Sequence, residues 1–124
     1  MIPNFRAWDK RHQKMFNVSF IDFDTKLVGL DIDLEIIIFD FDDIILMQST
    51  GQKDCNNSDI FDADILLEPW TGRIVGRVFY SLGDLAWKVL LVGGGEEFLS
   101  DCLDSEVCGN IHENPDLMEE LNDQ

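Results

Sequence analysis

The residues of this chain with the greatest capacity for chemistry are its carboxylates. Eleven acids lie between residues 31 and 68, opposed by a single basic residue, Lys53. They gather in two groups: Asp40, Asp42 and Asp43, and then Asp59, Asp62 and Asp64. Hard cations take such oxygen ligands, but a calcium loop needs a central Gly and a terminal Glu at spacings absent here. Carboxylates at alternate strand positions are typical of a solvated surface, so the pattern predicts no metal site.

Cysteine and histidine offer a second kind of chemistry through Cys55, Cys102, Cys108, His12 and His112. Structural zinc sites use close pairs such as Cys-x-x-Cys, whereas five residues separate Cys102 from Cys108. A Cys–His nucleophilic pair stays open, because such partners meet only in the fold, yet no activating context accompanies it. Cys108 alternates with its neighbours and is expected to be buried. We therefore predict no catalytic residue, no cofactor and no metal ligand.

A glycine-rich segment, VGGGEEFL at residues 92–99, could cradle a phosphate between a strand and a helix. A P-loop needs a Lys after its glycines, and here Glu96 and Glu97 stand in that place. Their negative charge repels a phosphate. We interpret the segment as a turn that starts a short helix with acidic first residues.

Basic residues are concentrated near the N-terminus, where residues 5–16 hold four of the nine Lys and Arg. Arg6 and Trp8 lie in this segment, and basic residues interleaved with aromatics can bind single-stranded nucleic acid. Residues 96–124, in contrast, carry ten acids and no Lys or Arg. We favour a pairing of these two segments, within one chain or between subunits, over nucleic-acid binding.

The overall composition narrows the class of protein. The chain has 124 residues, 45% of them hydrophobic, and a formal net charge of −16, which suits one globular domain. So acidic a chain is ill suited to bind nucleic acid or an anionic membrane surface. The start of the sequence has no apolar signal core, and no apolar stretch approaches the ~18 residues of a membrane helix. We therefore expect a protein of the reducing cytoplasm.

Alternation of apolar residues with period two predicts that strands form most of the fold. In FNVSFIDFD, which begins at Phe16, alternation places Val18 and Phe20 on one side of a strand and Ile21 on the other. Two further strands are predicted at 35–41 and 44–49, with a kink or bulge between them.

The second half of the chain is predicted to be a series of short strands. Residues 50–59 are rich in Gly, Asn, Asp and Ser, and form the best internal boundary. Strand-length apolar segments separated by Gly-containing turns come after this boundary, which favours a small barrel or sandwich. Near the end, NPDLMEELN predicts a short helix capped by Asn114.

Four blocks of the sequence resemble the YopX-like family of bacteriophage and prophage proteins: IPNFRAWDK, DFDDIILMQSTGQKD, DIFDADIL and VCGNIHENPDLM. They span almost the whole chain in the expected order. The resemblance implies one YopX-like domain over 1–124, mainly β (a β-rich α+β fold). Within it we expect an N-terminal β-strand subdomain at 1–50 and, at 51–124, an SH3-like small barrel with a short C-terminal helix. The resemblance implies no enzymatic activity, cofactor or catalytic residue.

The chain departs from the family's pattern before the first strand of the expected barrel. Asp62-Ala63-Asp64 stands where the family usually has Glu-Gly-Asp. Alanine accepts a left-handed backbone much less readily than glycine. Ala63 therefore makes the local geometry of this turn a question for the structure.

These observations favour a non-catalytic phage accessory protein that binds another protein, from the host or from the phage. Small barrels bind peptides in grooves or along a sheet edge, and exposed aromatics anchor such contacts. A homo-oligomeric scaffold is the first alternative, and an acidic mimic of nucleic acid or a metal-dependent enzyme rank below it. The candidate protein-binding residues are Trp70, Tyr80, Trp87, Arg6 and Trp8.

Overall fold

The computed structural model describes residues 4–118, and strands account for more than half of them, so the predicted mainly β class is confirmed. The chain divides into two compact units, Met1–Ser49 and Thr50–Gln124. Each unit has antiparallel strands and its own cluster of buried apolar side chains. The two units are therefore described separately.

The first unit contains four strands and the start of a fifth: β1 (Phe5–Asp9), β2 (Lys14–Asp22), β3 (Leu27–Ile32), β4 (Glu35–Asp40) and β5 (Ile44–Lys53). They lie in the order β4-β3-β2-β1-β5. A 3-10 helix at Phe41–Asp43 makes the predicted break between β4 and β5. Ala7, Val28, Leu30 and Ile44 are buried and form the centre of the core.

A β-bulge in β2 changes which side chains face this core. The pairing of β2 with β3 shifts between Val18, opposite Leu30, and Phe20, opposite Gly29. An inserted residue reverses the alternation beyond it, so Val18 and Ile21 both pack against the core while Phe20 is 41% exposed. The prediction that Phe20 shares the side of Val18 is therefore wrong.

The second unit adds six strands: β6 (Asp59–Phe61), β7 (Asp64–Leu67), β8 (Ile74–Ser81), β9 (Ala86–Leu91), β10 (Glu96–Phe98) and β11 (Glu106–Asn110). β6 lies beside the end of β5, and the other five have the order β10-β9-β8-β7-β11. The last strand thus returns beside β7 after a 3-10 helix at Leu99–Asp101. Among the described strands β10 and β11 are the edges, so hydrogen bonds do not close the sheet. Leu66, Val78 and Val89 are central to its core.

Helices were predicted in two segments, after the glycines at 93–95 and near the C-terminus. The glycines at 93–95 all have positive φ and form a turn, but the next element is a strand, because Glu97 pairs with Val89. The helix predicted there is limited to the 3-10 turn at Leu99–Asp101. At the C-terminus, helical backbone begins at Asp116, and the predicted helix beyond residue 118 lies outside the described residues.

Ala63 adopts the left-handed conformation that a glycine would adopt easily, with a φ of 73°. Its N–H donates to the Val78 carbonyl at 3.0 Å, and its own carbonyl accepts the N–H of Ile111 at 3.1 Å. The left-handed region costs a residue with a Cβ about 1–2 kcal/mol. The departure from the family's pattern therefore preserves the turn but leaves it strained.

We expect Ala63→Gly to raise the free energy of unfolding by about 0.5–1 kcal/mol. The gain is smaller than the full strain, because glycine increases the conformational entropy of the unfolded chain and the buried methyl group of Ala63 is lost. Urea unfolding followed by tryptophan fluorescence measures the difference. Ala86→Gly, in β9 where φ is not positive, is the matched control and is expected to lower stability. An equal loss in both variants would contradict the strain at Ala63.

Candidate functional site

A buried carboxylate lies at the hairpin between β1 and β2. Asp9 is 1% exposed, and its Oδ1 accepts the backbone N–H groups of Arg11 at 3.0 Å and His12 at 3.3 Å. Its Oδ2 lies 2.7 Å from His12 Nδ1, which must carry the proton because an ionised carboxylate only accepts. Burial raises the pKa of Asp9, but the hydrogen bonds of the His12 ring and the two N–H groups outweigh it. The pKa is therefore held below its usual value.

A pocket of about 360 Å³ opens beside this hairpin, lined by Asp9, Lys10, Arg11, His12, Phe39, Asp42 and Asp43. A carboxylate that orients a histidine supplies two of the three members of a hydrolytic triad. The lining residues include no Ser, Thr or Cys, so the pair has no nucleophile to activate. The hydrogen bonds of Asp9 are those of a residue that closes a turn.

In the second unit, Asp54 ties the loop between β5 and β6 to β11. Its Oδ1 accepts the N–H groups of Asn56 at 2.9 Å and Ser58 at 2.8 Å, and its Oδ2 accepts that of Val107 at 2.8 Å. Asn57, within the loop, has a φ of 65°, which asparagine tolerates. The Asp54 carboxylate is thus committed to the backbone and is not available to a ligand.

The described residues do not form a metal-binding site. Within 4–118, no three side chains of His, Cys, Asp or Glu converge on a point that could hold a metal ion. Asp9, Asp54 and Asp64 are the buried carboxylates there, and each accepts at least one backbone N–H. The strand pattern predicted a solvated surface, and this is wrong for Asp64, which is 1% exposed; the remaining described acids are half-buried or exposed.

The three thiols are not activated as nucleophiles. Desolvation raises the pKa of Cys102 to about 11, and the carboxylate of Glu97, 3.7 Å from Sγ, adds to the effect. The pKa values of Cys55 and Cys108 are also raised, mainly by desolvation and further by nearby carboxylates. The thiolate is the reactive form of cysteine, and the raised pKa values favour the protonated thiol at all three positions.

Cys108 is exposed, which contradicts its predicted burial. The pairing of β11 with β7 shifts between Val107 and Gly109. Cys108 is the residue skipped by this bulge, so alternation along β11 no longer decides where it faces.

Two of the predicted aromatic anchors lie together near the turn between β8 and β9. Tyr80 and Trp87 are opposite each other on β8 and β9, with ring centroids 5.3 Å apart and planes at 71°. Trp87 also packs against the buried core and lines a pocket of about 160 Å³. The two rings stabilise each other and the sheet, and Tyr80, 43% exposed, offers the larger free surface.

The third predicted anchor, Trp70, lies elsewhere, in the turn between β7 and β8. Its side chain is 63% exposed. The turn is closed by Glu68, whose N–H donates to the Arg73 carbonyl and whose carbonyl accepts the Gly72 N–H, both at 2.8 Å. The structure therefore places Trp70 on a well-defined turn, separate from the Tyr80–Trp87 pair.

A pocket of about 200 Å³ beside this turn is lined by Glu68, Trp70, Val75, Glu97, Asp101, Cys102, Asp104 and Ser105. Four of these residues are carboxylates, and none is Lys or Arg. The four carboxylates come from the β7–β8 turn, from β10 and from the segment around the second 3-10 helix. No local spacing in the sequence links these segments. The sequence therefore predicted only one of the lining residues, Trp70, as a site residue.

The remaining two predicted site residues lie on β1 of the first unit. Trp8 is 5% exposed and lies opposite Met15 and Ile45 in the sheet, so its ring supplies packing and little surface. Arg6 is partly buried. The pairing of residues 5–16 with the acidic segment 96–124 stays a prediction.

In the last of the four sequence blocks, VCGNIHENPDLM, the residues form hydrogen bonds with one another. Oδ1 of Asn110 accepts the N–H groups of His112 at 3.0 Å and Glu113 at 2.9 Å, and its own N–H donates to Asn114 Oδ1 at 3.2 Å. A Cβ at Gly109 would clash with that Asn114 side chain. The block is thus explained by the turn that it builds.

The first and central blocks are also explained by folding. Ala7 and Met47 are buried in them, and Thr50 Oγ1 donates to the Ile60 carbonyl at 2.8 Å. Gly51 has a φ of 81°, which favours glycine. No ligand is needed to account for these residues.

Comparison with known proteins gives two findings. A family model described as YopX protein matches residues 4–119 of this chain. The crystal structure of protein EF1440 from Enterococcus faecalis is similar, with 30% sequence identity and a TM-score of 0.63, over 95% of this chain and 99% of that one. The search of curated proteins returns no match. In the described part of the chain, no helix has the length and apolar character needed to cross a bilayer.

Proposed function

Because this chain belongs to the YopX family, as its four blocks implied, we propose that it is a non-catalytic phage or prophage accessory protein. It acts by binding another protein in the host cytoplasm. The observation that supports this role best is the pocket in which exposed Trp70 stands among four carboxylates. We assign to this pocket the binding of a Lys or Arg side chain from the partner.

The chemistry of the pocket favours a cation with an apolar stem. A tryptophan face attracts Lys or Arg by about 0.5–2 kcal/mol, depending on how far the pair is desolvated. Glu68, Glu97 and Asp104 supply acceptors for the donors of such a side chain. Val75, in the same lining, can contact its methylene groups. Tryptophan is one of the residue types enriched at binding hot spots.

The non-catalytic character rests on how the reactive groups are used. The thiols are held in their unreactive form by their raised pKa values. The Asp9–His12 pair lacks a hydroxyl or thiol among the residues that line its pocket. The carboxylates of Asp9 and Asp54 are occupied by backbone N–H groups. The polar groups that could do chemistry thus stabilise turns.

A labelled peptide of alternating Gly and Arg tests the pocket by fluorescence anisotropy. We expect Trp70→Ala to weaken binding about tenfold, because the loss of a cation–π contact of about 1.4 kcal/mol has that effect. Leu82→Ala is the control, since Leu82 is an exposed residue of the same unit outside the pocket. Equal binding by Trp70→Ala and the wild type would refute the assignment.

A second pair of variants separates recognition from general attraction to an acidic protein. Glu68→Gln with Asp104→Asn, and Asp24→Asn with Asp33→Asn, each remove two negative charges, but the second pair lies in the first unit. We expect only the pocket pair to weaken peptide binding strongly at physiological salt, where distant charges are screened. Equal weakening by both would indicate Coulomb attraction without a site.

A further inference from the structure

β4 is an edge strand whose apolar side chains remain exposed. It pairs with β3 on one side, and no described strand pairs with its other side. Ile36, Ile37 and Ile38 are 53%, 40% and 52% exposed. Native proteins usually protect such an edge, because it is a ready template for another strand. Three consecutive half-exposed isoleucines on an open edge therefore indicate an interaction surface.

The direction of the backbone groups on β4 can be deduced from one hydrogen bond. The Phe41 N–H donates to the Lys26 carbonyl at 3.0 Å, which continues the β3–β4 register. In an antiparallel ladder alternate residues point both of their backbone groups at the same neighbour. Residues 35, 37 and 39 therefore face β3, and the N–H and C=O groups of Ile36 and Ile38 point outward. These two residues can bond to an added strand.

The outer face next to this edge is also apolar. Phe20, turned outward by the bulge in β2, lies over Gly29 of β3, where a Cβ would clash with its ring and with Ile36. The missing side chain of Gly29 lets the ring cover β3 as far as Ile36. Phe20, Ile36 and Ile38 thus form a continuous strip from β2 to the open edge, each at least 41% exposed.

The acids of the β4 segment favour a basic occupant, since they outnumber the two lysines, Lys10 and Lys26, that bond to the backbone just beyond its Asp40 end. Between residues 31 and 43 there are six acids and no Lys or Arg: Asp31, Asp33, Glu35, Asp40, Asp42 and Asp43. A second copy of the same edge would bring two such sets together, and like charges across strands are destabilising. A strand with basic ends would meet opposite charge at both ends of β4.

We propose that the outer edge of β4 binds an extended segment of another protein that has apolar residues at alternate positions and Lys or Arg at its ends. The segment adds a strand to the sheet through Ile36 and Ile38. Its apolar side chains cover the strip of Phe20, Ile36 and Ile38, and its basic ends pair with Glu35 and Asp40. The site lies in the first unit and does not depend on the Trp70 pocket.

The test uses the full chain and the peptide Lys-Val-Thr-Val-Thr-Lys, with amide hydrogen exchange by NMR. We expect the amides of Ile36 and Ile38 to gain protection with this peptide, and not with Glu-Val-Thr-Val-Thr-Glu. Ile38→Pro removes one outward donor without breaking a bond to β3, since proline is tolerated where the N–H faces solvent. We expect it to weaken binding at least about tenfold.

Ile38→Thr is the matched variant, because it retains the N–H but shortens the apolar strip. We expect an intermediate affinity from it. Unchanged binding by a folded Ile38→Pro protein, or protection confined to other strands, would overturn the proposal. Protection of Ile36 and Ile38 that rises with protein concentration in the absence of peptide would overturn the assigned occupant and indicate a second copy.

Discussion

Asp54→Ala is expected to lower the free energy of unfolding of the second unit by about 3 kcal/mol. The substitution removes the acceptor of three backbone N–H groups, and each bond to a charged acceptor contributes about 1.5–3 kcal/mol. The N–H groups of Asn56 and Ser58 lie at exposed positions and regain water, so the full sum is not lost. That of Val107, on partly buried β11, loses its partner inside the sheet. Urea unfolding measures the change, and amide exchange at Val107 locates it.

Asp59→Ala is the matched control for this experiment. Asp59 is in the same hairpin and its removal changes the net charge equally, but its ion pair with Lys53 is exposed on both sides. Exposed pairs contribute about 0–1 kcal/mol. We expect Asp59→Ala to be nearly neutral. A comparable loss in both variants would mean that charge, and not the hydrogen bonds of Asp54, sets the stability of the loop.

Asp54 also shows what could be read from the sequence and what could not. The stretch Asp-Cys-Asn-Asn-Ser at residues 54–58 is typical of a turn in which the carboxylate accepts nearby N–H groups. Two of its three bonds are of this local kind. The third joins Val107, 53 positions away. That bond depends on how β11 returns beside β7, which no local pattern contains.

The strands themselves were predictable because burial on one face imposes a period of two. The break at Asp42 and the turn-rich hairpin after β5 were predictable from local residue types. The predicted cap residue Asn114 instead accepts the Asn110 N–H with its Oδ1, and helical backbone begins at Asp116. Two of the errors occurred at bulges. At Phe20 and at Cys108 one inserted residue changed which way the neighbouring side chains face, and nothing in the residue types of either strand marks the insertion.

The candidate pocket was only partly predictable for a related reason. A large aromatic in a turn is conspicuous in the sequence, and Trp70 is such a residue. Its acidic neighbours Glu97, Asp101 and Asp104 come from segments some 30 residues further along, and they meet it only because β10 and β11 bracket the sheet. Trp8 illustrates the opposite case. Its position beside basic residues predicted a surface site, but its side chain is buried.

Asp9→Ala is expected to lower the free energy of unfolding of the first unit by about 2–3 kcal/mol at neutral pH. It leaves the turn N–H groups of Arg11 and His12 without their acceptor and empties a buried position. Unsatisfied groups cost about 1–3 kcal/mol each, less where water can reach them. Asp24→Ala, at an exposed acid of the next hairpin, is the control with the same change in charge and is expected to be nearly neutral.

The pH dependence of stability shows whether Asp9 stabilises the first unit through its ionised carboxylate or only through the volume of its side chain. Its pKa is lower in the folded chain than in the unfolded one, so its contribution is fully present above about pH 4 and is lost as the pH falls through the folded value. His12→Ala removes one of the bonds that lower this pKa. We therefore expect acid unfolding of the first unit to begin at a higher pH in His12→Ala, and the acid dependence to become shallower in Asp9→Asn. Acid unfolding curves that coincide for wild type, His12→Ala and Asp9→Asn would show that Asp9 does not couple proton binding to folding.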